Sequence, residues 1–467
     1  MSWPGWQIAG PGTGRERQDT HLTGYRAMRC PTLAELPPPP PGKTGWPWTE
    51  ESPRLPGTMP DGSTWPCVSI VTPSYNQVGF IEETLRSVLL QGYPNLDYGI
   101  VDGGSADGSV EIIRKYQPWL AHWVSQPDRG QSHAINKGWS RSHGRILAWL
   151  NSDDTYQPGA VSIAVGHLLS HPSAGMVYAD GNLMNPQSQI TGYVQSGPLN
   201  LAQLLSRERP IPQPTAFIWR HAVECAGFLD LQLHYTMDYD LWIRIARYFE
   251  LYYIPTTLAN IRIWNETKMV SQSDKWLAET LRILGHAFGQ VDLRDDTHFI
   301  QALAYGRLYW SGGLAAYARG NTGLGQEYCR LALEQPCWVE ADVHRLLNPL
   351  LYREKSIGEG DRQRFIRQVL EDLPQSARKA HHLDRLVWRE YYTSRVAIAH
   401  RRKDRAGVVR SFWMLLLHEP SAIINRGVMS VLLENLVGGT CVRKARNTAR
   451  AMRARLHARR ARGRVCV

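Results

Sequence analysis

From Cys67 onward, short apolar runs alternate with amphipathic segments. Val68-Ser69-Ile70-Val71 reads as a strand closed by a turn at Thr72-Pro73-Ser74-Tyr75-Asn76, and Ile81, Leu85, Val88 and Leu89 then recur at helical spacing. Tyr98-Gly99-Ile100-Val101 predicts a second strand, ending at Asp102-Gly103-Gly104, with a helix over Ser109 to Tyr116. A third strand near residues 121–125 leads to Asp128-Arg129-Gly130 and a helix over residues 131–142. A fourth, over residues 145–150, ends at Asn151-Ser152-Asp153-Asp154, and another helix follows Pro158. Strands and helices alternating at this spacing predict right-handed βαβ crossovers, hence an α/β fold with a mainly parallel sheet. Each polar cluster falls just after a strand, at the sheet edge where open α/β sheets bind ligands.

The flanking regions have a different texture. Residues 1–66 are rich in Pro and Gly, include the run Pro37-Pro38-Pro39-Pro40-Pro41 and have no hydrophobic period, which predicts a disordered or loosely attached extension. The tryptophans at 3, 6, 46, 48 and 65 are unusual for pure disorder and suggest that part of the extension packs on the body. Beyond about residue 272 the strand pattern gives way to long helical patterns. Two stretches there look alike: Ala316 to Asn321 leading to Leu331-Ala332-Leu333-Glu334-Gln335-Pro336, and Ala399 to Asp404 leading to Leu415-Leu416-Leu417-His418-Glu419-Pro420. Each resembles a helical hairpin of the tetratricopeptide type, turning at Gly-Asn or Lys-Asp. The expected organisation is an extension over 1–66, an α/β domain over 67–271, an all-α domain over 272–440 and a tail over 441–467.

Composition narrows the setting. With 467 residues the chain is long enough for two or three domains, and its 43% hydrophobic content is that of an ordinary folded protein. No apolar run approaches the roughly 18–20 residues that span a bilayer, and the N-terminus lacks the basic start and apolar stretch of a secretory signal. Seven scattered cysteines without a CxxC pair fit neither a disulfide framework nor a zinc site, and point to a reducing cytoplasm. The net charge of +11 is concentrated at one end: Cys441 to Val467 carries ten Lys or Arg and no acid, leaving about +1 for the rest. That tail reads as a solvated segment or as a contact for anionic lipid at the inner membrane face. Without interleaved aromatics or a recognisable module, it is a poor nucleic-acid binder.

Several residues suit a sugar transfer from a nucleoside diphosphate. That reaction needs a divalent cation held by carboxylates to neutralise the departing diphosphate, and a base for the acceptor hydroxyl. Asp153 and Asp154 are the metal candidates and Asp238, in Met237-Asp238-Tyr239-Asp240-Leu241-Trp242, is the candidate base. Taken singly, each reads at least as well as a helix cap, and Asp102 as a turn residue.

Their order carries more. Val68 to Asn76, Val101 to Ser109, Asp128 to Gly138, Leu150 to Asp154, Pro212-Gln213-Pro214-Thr215 and Asp238 to Trp242 resemble, in sequence, the motifs of the family-2 glycosyltransferases, whose catalytic domain has the GT-A fold. The resemblance covers about residues 67–270. It implies that the Thr72-Pro73-Ser74-Tyr75-Asn76 turn, Asp102 and Gly103 hold the nucleobase and ribose of the donor. It implies that Asp128 and Arg129 lie near the base or diphosphate, and that Asn151-Ser152-Asp153 stands at the Asp-x-Asp metal motif. Asp153 is then the ligand for Mg²⁺ or Mn²⁺, with Asp154 in support, and Asp238 is the catalytic base. Two departures stand out: Asn151 replaces the first Asp of the metal motif, and Met237 an acid that often precedes the base.

The expected protein is a metal-dependent, inverting glycosyltransferase. It uses a UDP-, GDP- or dTDP-linked sugar and delivers it to a hydroxyl of a glycan or lipid-linked acceptor. The alternative is a transferase-like scaffold, weak or inactive, joined to a partner-binding helical repeat.

Overall fold

In the computed structural model the described residues are 30–264, 273–291, 296–336, 359–373 and 382–418, with a few isolated positions beyond. The basic tail and residues 1–29 lie outside them. Along the chain run β1 (Val68–Ser74), α1 (Ile81–Leu89), β2 (Leu96–Asp102), α2 (Ser109–Tyr116), β3 (His122–Ser125), α3 (Gln131–Arg141), β4 (Ile146–Trp149), β5 (Thr155–Tyr156), α4 (Ala160–Ser170) and β6 (Ala174–Met184). There follow β7 (Ile190–Val194), α5 (Leu201–Leu205), β8 (Phe217–Trp219), α6 (Arg220–Ala226), α7 (Met237–Ala246) and β9 (Glu250–Arg262). The rest is helical: α8 (Ser273–Phe288), α9 (Thr297–Ala318), α10 (Thr322–Leu333), α11 (Glu359–Asp372), α12 (Leu383–Arg401) and α13 (Arg405–His418).

Two compact units emerge, and the stretch 67–271 contributes to both. One comprises residues up to Leu183 with Pro212–Cys225 and Ile254–Arg262; the other comprises Met184–Ile211, Ala226–Tyr253 and everything from Ile263.

The first unit is a mixed α/β sheet in the order β3-β2-β1-β4-β8-β6-β9-β5. Its first four strands are parallel, as the alternation predicts. From β8 onward the sheet turns antiparallel, with β8 against both β4 and β6 and β9 against β5. Helices still separate several of these strands, α5 before β8 and α7 before β9, but the alternation gives no sign that their pairing is antiparallel. β1, β2 and β4 are buried along their whole length, as sheets with both faces covered require. Helix α3 lies so close to β1 that a Cβ on Gly138 would stand 2.5 Å from Val71, which accounts for the glycine in Asn136-Lys137-Gly138.

The parallel register sets the functional edge. Ser74 pairs with Asp102, and Asp102 with Ser125. The chain leaves β1, β2, β3 and β4 at this one edge, and all the predicted polar loops emerge there.

Helix α1 is amphipathic in sequence yet buried on eight of its nine residues, Glu83, Thr84, Arg86 and Ser87 among them. Part of the cover comes from the extension. From Cys30 on, the Pro-rich segment is packed against the body, with Trp48, Leu36 and Cys30 buried, contrary to a loosely attached reading. Proline carbonyls have no N–H beside them to join a ladder, and Arg86 collects them. Its Nε donates to Pro47 O (3.0 Å), Nη1 to Pro37 O (2.8 Å) and Nη2 to Trp48 O (2.9 Å), with the Trp48 ring 5.5 Å from the guanidinium. Trp46 Nε1 donates to Tyr156 O (2.8 Å). The tryptophans, rather than any period, were the signal of this packing.

In the second unit α9–α10 and α12–α13 form two hairpins with the same corner. Asn321 N–H donates to Ala316 O (3.0 Å) and Asp404 N–H to Ala399 O (2.9 Å). The Asn321 side chain accepts from Leu324 N–H and that of Asp404 from Gly407 N–H. Gly320 and Lys403 precede them with φ of 77° and 58°, so the two stretches that look alike in sequence fold alike. Both hairpins share a core that includes Trp310, Leu314, Val387, Trp388 and Phe412.

Arg86→Met leaves three carbonyls of the extension without their donor, so chemical denaturation should show a loss of about 3 kcal/mol.

Candidate functional site

Three of the four edge loops are laced together by backbone and short side chains. Asn76 adopts φ 52°, its N–H donates to Ser105 Oγ (2.8 Å), and its Oδ1 accepts from Ala106 N–H (3.1 Å). Asp107 Oδ2 accepts from Val78 N–H (2.9 Å). Thr72 and Pro73 are buried within β1, where Thr72 Oγ1 lies 3.0 Å from Tyr98 Oη. Tyr75 is 63% exposed at the rim. Ser74 Oγ is buried with no hydrogen-bond partner among the described residues.

Asp102 is placed at this edge but turned inward. Its carboxylate accepts from Gly104 N–H (3.0 Å), Ser105 N–H (2.8 Å), Ser105 Oγ–H (2.5 Å) and Ser125 Oγ–H (2.7 Å). Three of these donors converge on Oδ2, and Oδ1 accepts only from Ser105 Oγ–H, which leaves it an acceptor position. Asp102 thereby pins the β2 loop to the end of β3. Gly103 presents bare backbone, and a Cβ there would lie 3.2 Å from Asp128 Oδ2 and 3.2 Å from the Tyr75 ring. Asp128 Oδ1 accepts from Gly130 N–H (2.7 Å), fixing the entry to α3. Arg129 is exposed.

The fourth loop carries the carboxylate pair. Asn151 Oδ1 accepts from Gln131 Nε2 (2.6 Å), and Ser152 is buried. Asp154 is 3% exposed, and its Oδ1 accepts from the Arg262 N–H (2.9 Å). Asn151 Nδ2 approaches Asp154 Oδ2 at 3.4 Å. Burial, and then the charge of Asp153, push the Asp154 carboxyl well above its ordinary range. Asp153 is only half-buried. The pair is thus split: Asp154 faces the protein and Asp153 keeps access to solvent.

No group of three or more His, Cys, Asp or Glu suited to a metal occurs among the described residues. Mg²⁺ nonetheless suits such a place, since it is commonly held by one or two carboxylates together with ligand phosphates and water. Asp153 is the half-buried carboxylate of this loop, and Asn151 adds no second charge beside it.

Two residues here escape sequence reading. Arg262, fully buried at the end of β9, donates from Nε to Asp153 O (2.8 Å) and from Nη2 to Glu83 Oε2 (3.0 Å). The available signals were an arginine closing a run of strand residues and a glutamate in α1.

Asp238 is in the second unit, in the first turn of α7 after Thr236, and its Oδ1 accepts from Tyr239 N–H (2.8 Å). Burial raises its pKa, while that hydrogen bond and the positive charge of Arg207 act against the rise. Arg207 has φ 56° and its guanidinium sits 5.0 Å from the Tyr239 ring and 4.8 Å from the Trp276 ring. No periodic pattern marks Arg207 in the sequence.

An α/β sheet with its polar loops on one strand edge has the ligand-binding edge typical of such domains. Residues 69–212 match the family model described as glycosyl transferase family 2. An uncharacterized glycosyltransferase of Mycobacterium tuberculosis is 28% identical over 184 residues, 39% of this chain and 69% of the relative. Bacillus subtilis TuaG, named for teichuronic acid biosynthesis, is 40% identical over 95 residues, 20% of this chain and 38% of that protein. Among solved structures, S. aureus TarS 1-349 with UDP-GlcNAc has 16% identity and a TM-score of 0.45, covering 76% of this chain and 91% of that one. The mannosyltransferase PcManGT of Pyrobaculum calidifontis, solved with GDP-Man and Mn²⁺, has 18% identity and a TM-score of 0.41, covering 69% and 85%. The chain carries a family-2 glycosyltransferase domain, and the protein is a glycosyltransferase.

Asp102→Asn sets an amide NH₂ against donors that need an acceptor. A loss of about 2 kcal/mol is expected in denaturant unfolding, with Asp102→Glu failing to restore it because the longer side chain misplaces the oxygens.

Proposed function

We propose that this glycosyltransferase is metal-dependent and inverting, moving a sugar from a UDP-, GDP- or dTDP-linked donor to a hydroxyl of a glycan or lipid-linked acceptor. The observation that carries this reading is the cluster of Tyr75, Asn76, Gly103, Asp128 and Asn151 to Asp153 on loops from one strand edge, inside the residues that match the family. Tyr75, Asn76, Gly103 and Asp128 take the nucleobase and ribose, on a frame set by Thr72, Pro73 and Asp102. Arg129, Asn151 and Ser152 attend the diphosphate. Asp153 holds Mg²⁺ or Mn²⁺, and Asp154 braces its loop. The cation, when bound, supplies positive charge against the diphosphate leaving group. Asp238 accepts the proton of the acceptor hydroxyl, and one displacement inverts the anomeric centre. A carboxylate whose pKa is raised by burial is a better base than an ordinary one while still ionised near neutrality.

The basic tail fits a peripheral contact with anionic lipid on the cytoplasmic face, which suits a lipid-linked acceptor. No helix among the described residues is long and apolar enough to cross a membrane.

A panel of nucleotide-sugars scored by thermal shift with and without Mn²⁺ identifies the donor, since a bound ligand stabilises the folded state. The donor is expected to raise the melting temperature more with Mn²⁺, and Asp153→Asn to abolish that difference. Absence of any shift and of any turnover across the panel would favour the scaffold reading.

Asp238→Asn should keep donor binding and lose about 10²- to 10⁴-fold in transfer rate. In the wild type only ionised Asp238 accepts a proton, so kcat/KM should rise with pH along a limb above the ordinary carboxylate range. Arg207→Gln removes the charge that opposes the rise, so that limb should move to still higher pH. A limb that moves down, or full transfer by Asp238→Asn, removes Asp238 from the role of base.

A further inference from the structure

We infer that Gln213 recognises the sugar of the donor: its side-chain amide is anchored at the end of β4 so that the amide oxygen accepts a hydrogen bond from a sugar hydroxyl. This rests on the proposed placement of the nucleoside on the loops after β1, β2 and β3, and of the diphosphate at Asn151 and Ser152.

Pro212-Gln213-Pro214-Thr215 leads into β8 through a single 3₁₀ turn, Gln213–Thr215. β8 runs antiparallel to β4, with Leu147 opposite Ile218, so this segment lies beside the end of β4. There Gln213 Nε2 donates to Trp149 O (2.9 Å). A carbonyl only accepts, so this bond fixes which end of the amide is which. The amide oxygen is directed away from Trp149, and Gln213 Oε1 is buried with no hydrogen-bond partner among the described residues. Buried polar atoms are nearly always paired. Tying down the Trp149 carbonyl requires only a donor, so the acceptor brought in with it calls for a second explanation.

The segment is also stiff. Prolines on either side of Gln213 have a fixed φ. Thr215 Oγ1 accepts from Ala179 N–H (3.0 Å) and lies 2.8 Å from Pro212 O. Gly181 leaves room for Pro212, since a Cβ on it would stand 3.3 Å from Pro212 Cβ. An acceptor held this firmly needs little further ordering when a ligand meets it.

Strand order decides which part of the donor that is. The sheet runs β3-β2-β1-β4-β8, with neighbouring strands about 4.8 Å apart. Tyr75 and Asn76 follow β1, Gly103 follows β2, Asp128 follows β3, and Asn151 and Ser152 follow β4. A donor is joined in the order base, ribose, diphosphate, sugar, and laid along this edge it reaches β8 with its sugar. Trp149, which anchors Gln213, is followed two positions later by Asn151, at most about 7 Å of extended chain away. A sugar presents hydroxyl donors here. A buried amide oxygen discriminates among sugars, because one without the matching hydroxyl leaves that oxygen unpaired.

Calorimetric titration of the full chain in Mn²⁺ compares UDP with UDP-glucose and UDP-GlcNAc, GDP with GDP-mannose, and dTDP with dTDP-glucose. The quantity read is the ratio of nucleotide-sugar affinity to nucleotide affinity, for a pair that the wild type binds. Gln213→Met is close in size but has neither amide group. It is expected to lower that ratio about 3- to 10-fold, the worth of one hydrogen bond, with nucleotide affinity unchanged. Gln213→Asn keeps an amide but draws it back from Trp149, and should lower the ratio in the same way; it replaces the methionine variant if that one does not unfold cooperatively. A wild-type ratio in either folded variant overturns the inference. So does an equal loss for nucleotide and nucleotide-sugar, which makes Gln213 a brace for β4 and nothing more. Wild-type protein that binds none of the three nucleotides overturns the donor site itself, and this inference with it.

Discussion

A helix with polar residues on its surface can be buried all round only if every one of those residues finds a partner. That constraint falls on α1, which has a single apolar face and almost no exposure. Its Arg86 is satisfied by carbonyls of the N-terminal segment, and its Glu83 and Thr84 by Arg262 and the Asp153-Asp154 loop. Ser87 Oγ accepts from Tyr156 N–H (3.2 Å) just beyond that loop. The helix therefore joins a proline-rich strap, which supplies carbonyls, to a functional loop, which needs donors. Either neighbour removed would expose polar groups that are now paired inside the first unit.

The functional edge depends on a second economy, the in-register pairing of parallel strands. Because Ser74, Asp102 and Ser125 lie in one row, short side chains suffice to tie three loops together. Asp102 shows how an acid at the site is tied into the structure. It stands where a donor-binding aspartate is expected, and it also accepts from four protein donors, which hold Gly103 and its neighbours at fixed positions. Asp154 follows the same logic beside Asp153. In both places the buried acid shapes the loop beside more exposed neighbours.

The second unit holds its candidate group differently. Asp238 sits in the first turn of α7, where the helix N-terminus favours negative charge, while burial disfavours it and Arg207 partly restores it. Arg207 is itself held between two aromatic rings on a backbone with positive φ. The helical hairpins of this unit share a corner in which Asn321 and Asp404 cap equivalent helices. A short polar residue after a left-handed one closes the turn in each, which is why the sequence similarity between them was visible.

Much of this protein was legible in its sequence. Local hydrogen-bonding and packing preferences act over a few residues, so the strand-helix alternation from Cys67 to Ser170, the caps of the C-terminal hairpins and the ordered set of polar loops could all be read from spacing. The antiparallel half of the sheet, the packing of the strap and the division of 67–271 between two units could not, because pairing between distant strands leaves no local period. The same limit applied within the site. Which of Asp153 and Asp154 is the more deeply buried, and how the Asp102 carboxylate is held, depended on Arg262, Ser105 and Ser125. Of these only Ser105 is near its partner in sequence; Arg262 lies 108 positions from Asp154. A carboxylate's availability is decided by the donors that reach it, and folding brings those donors from elsewhere in the chain.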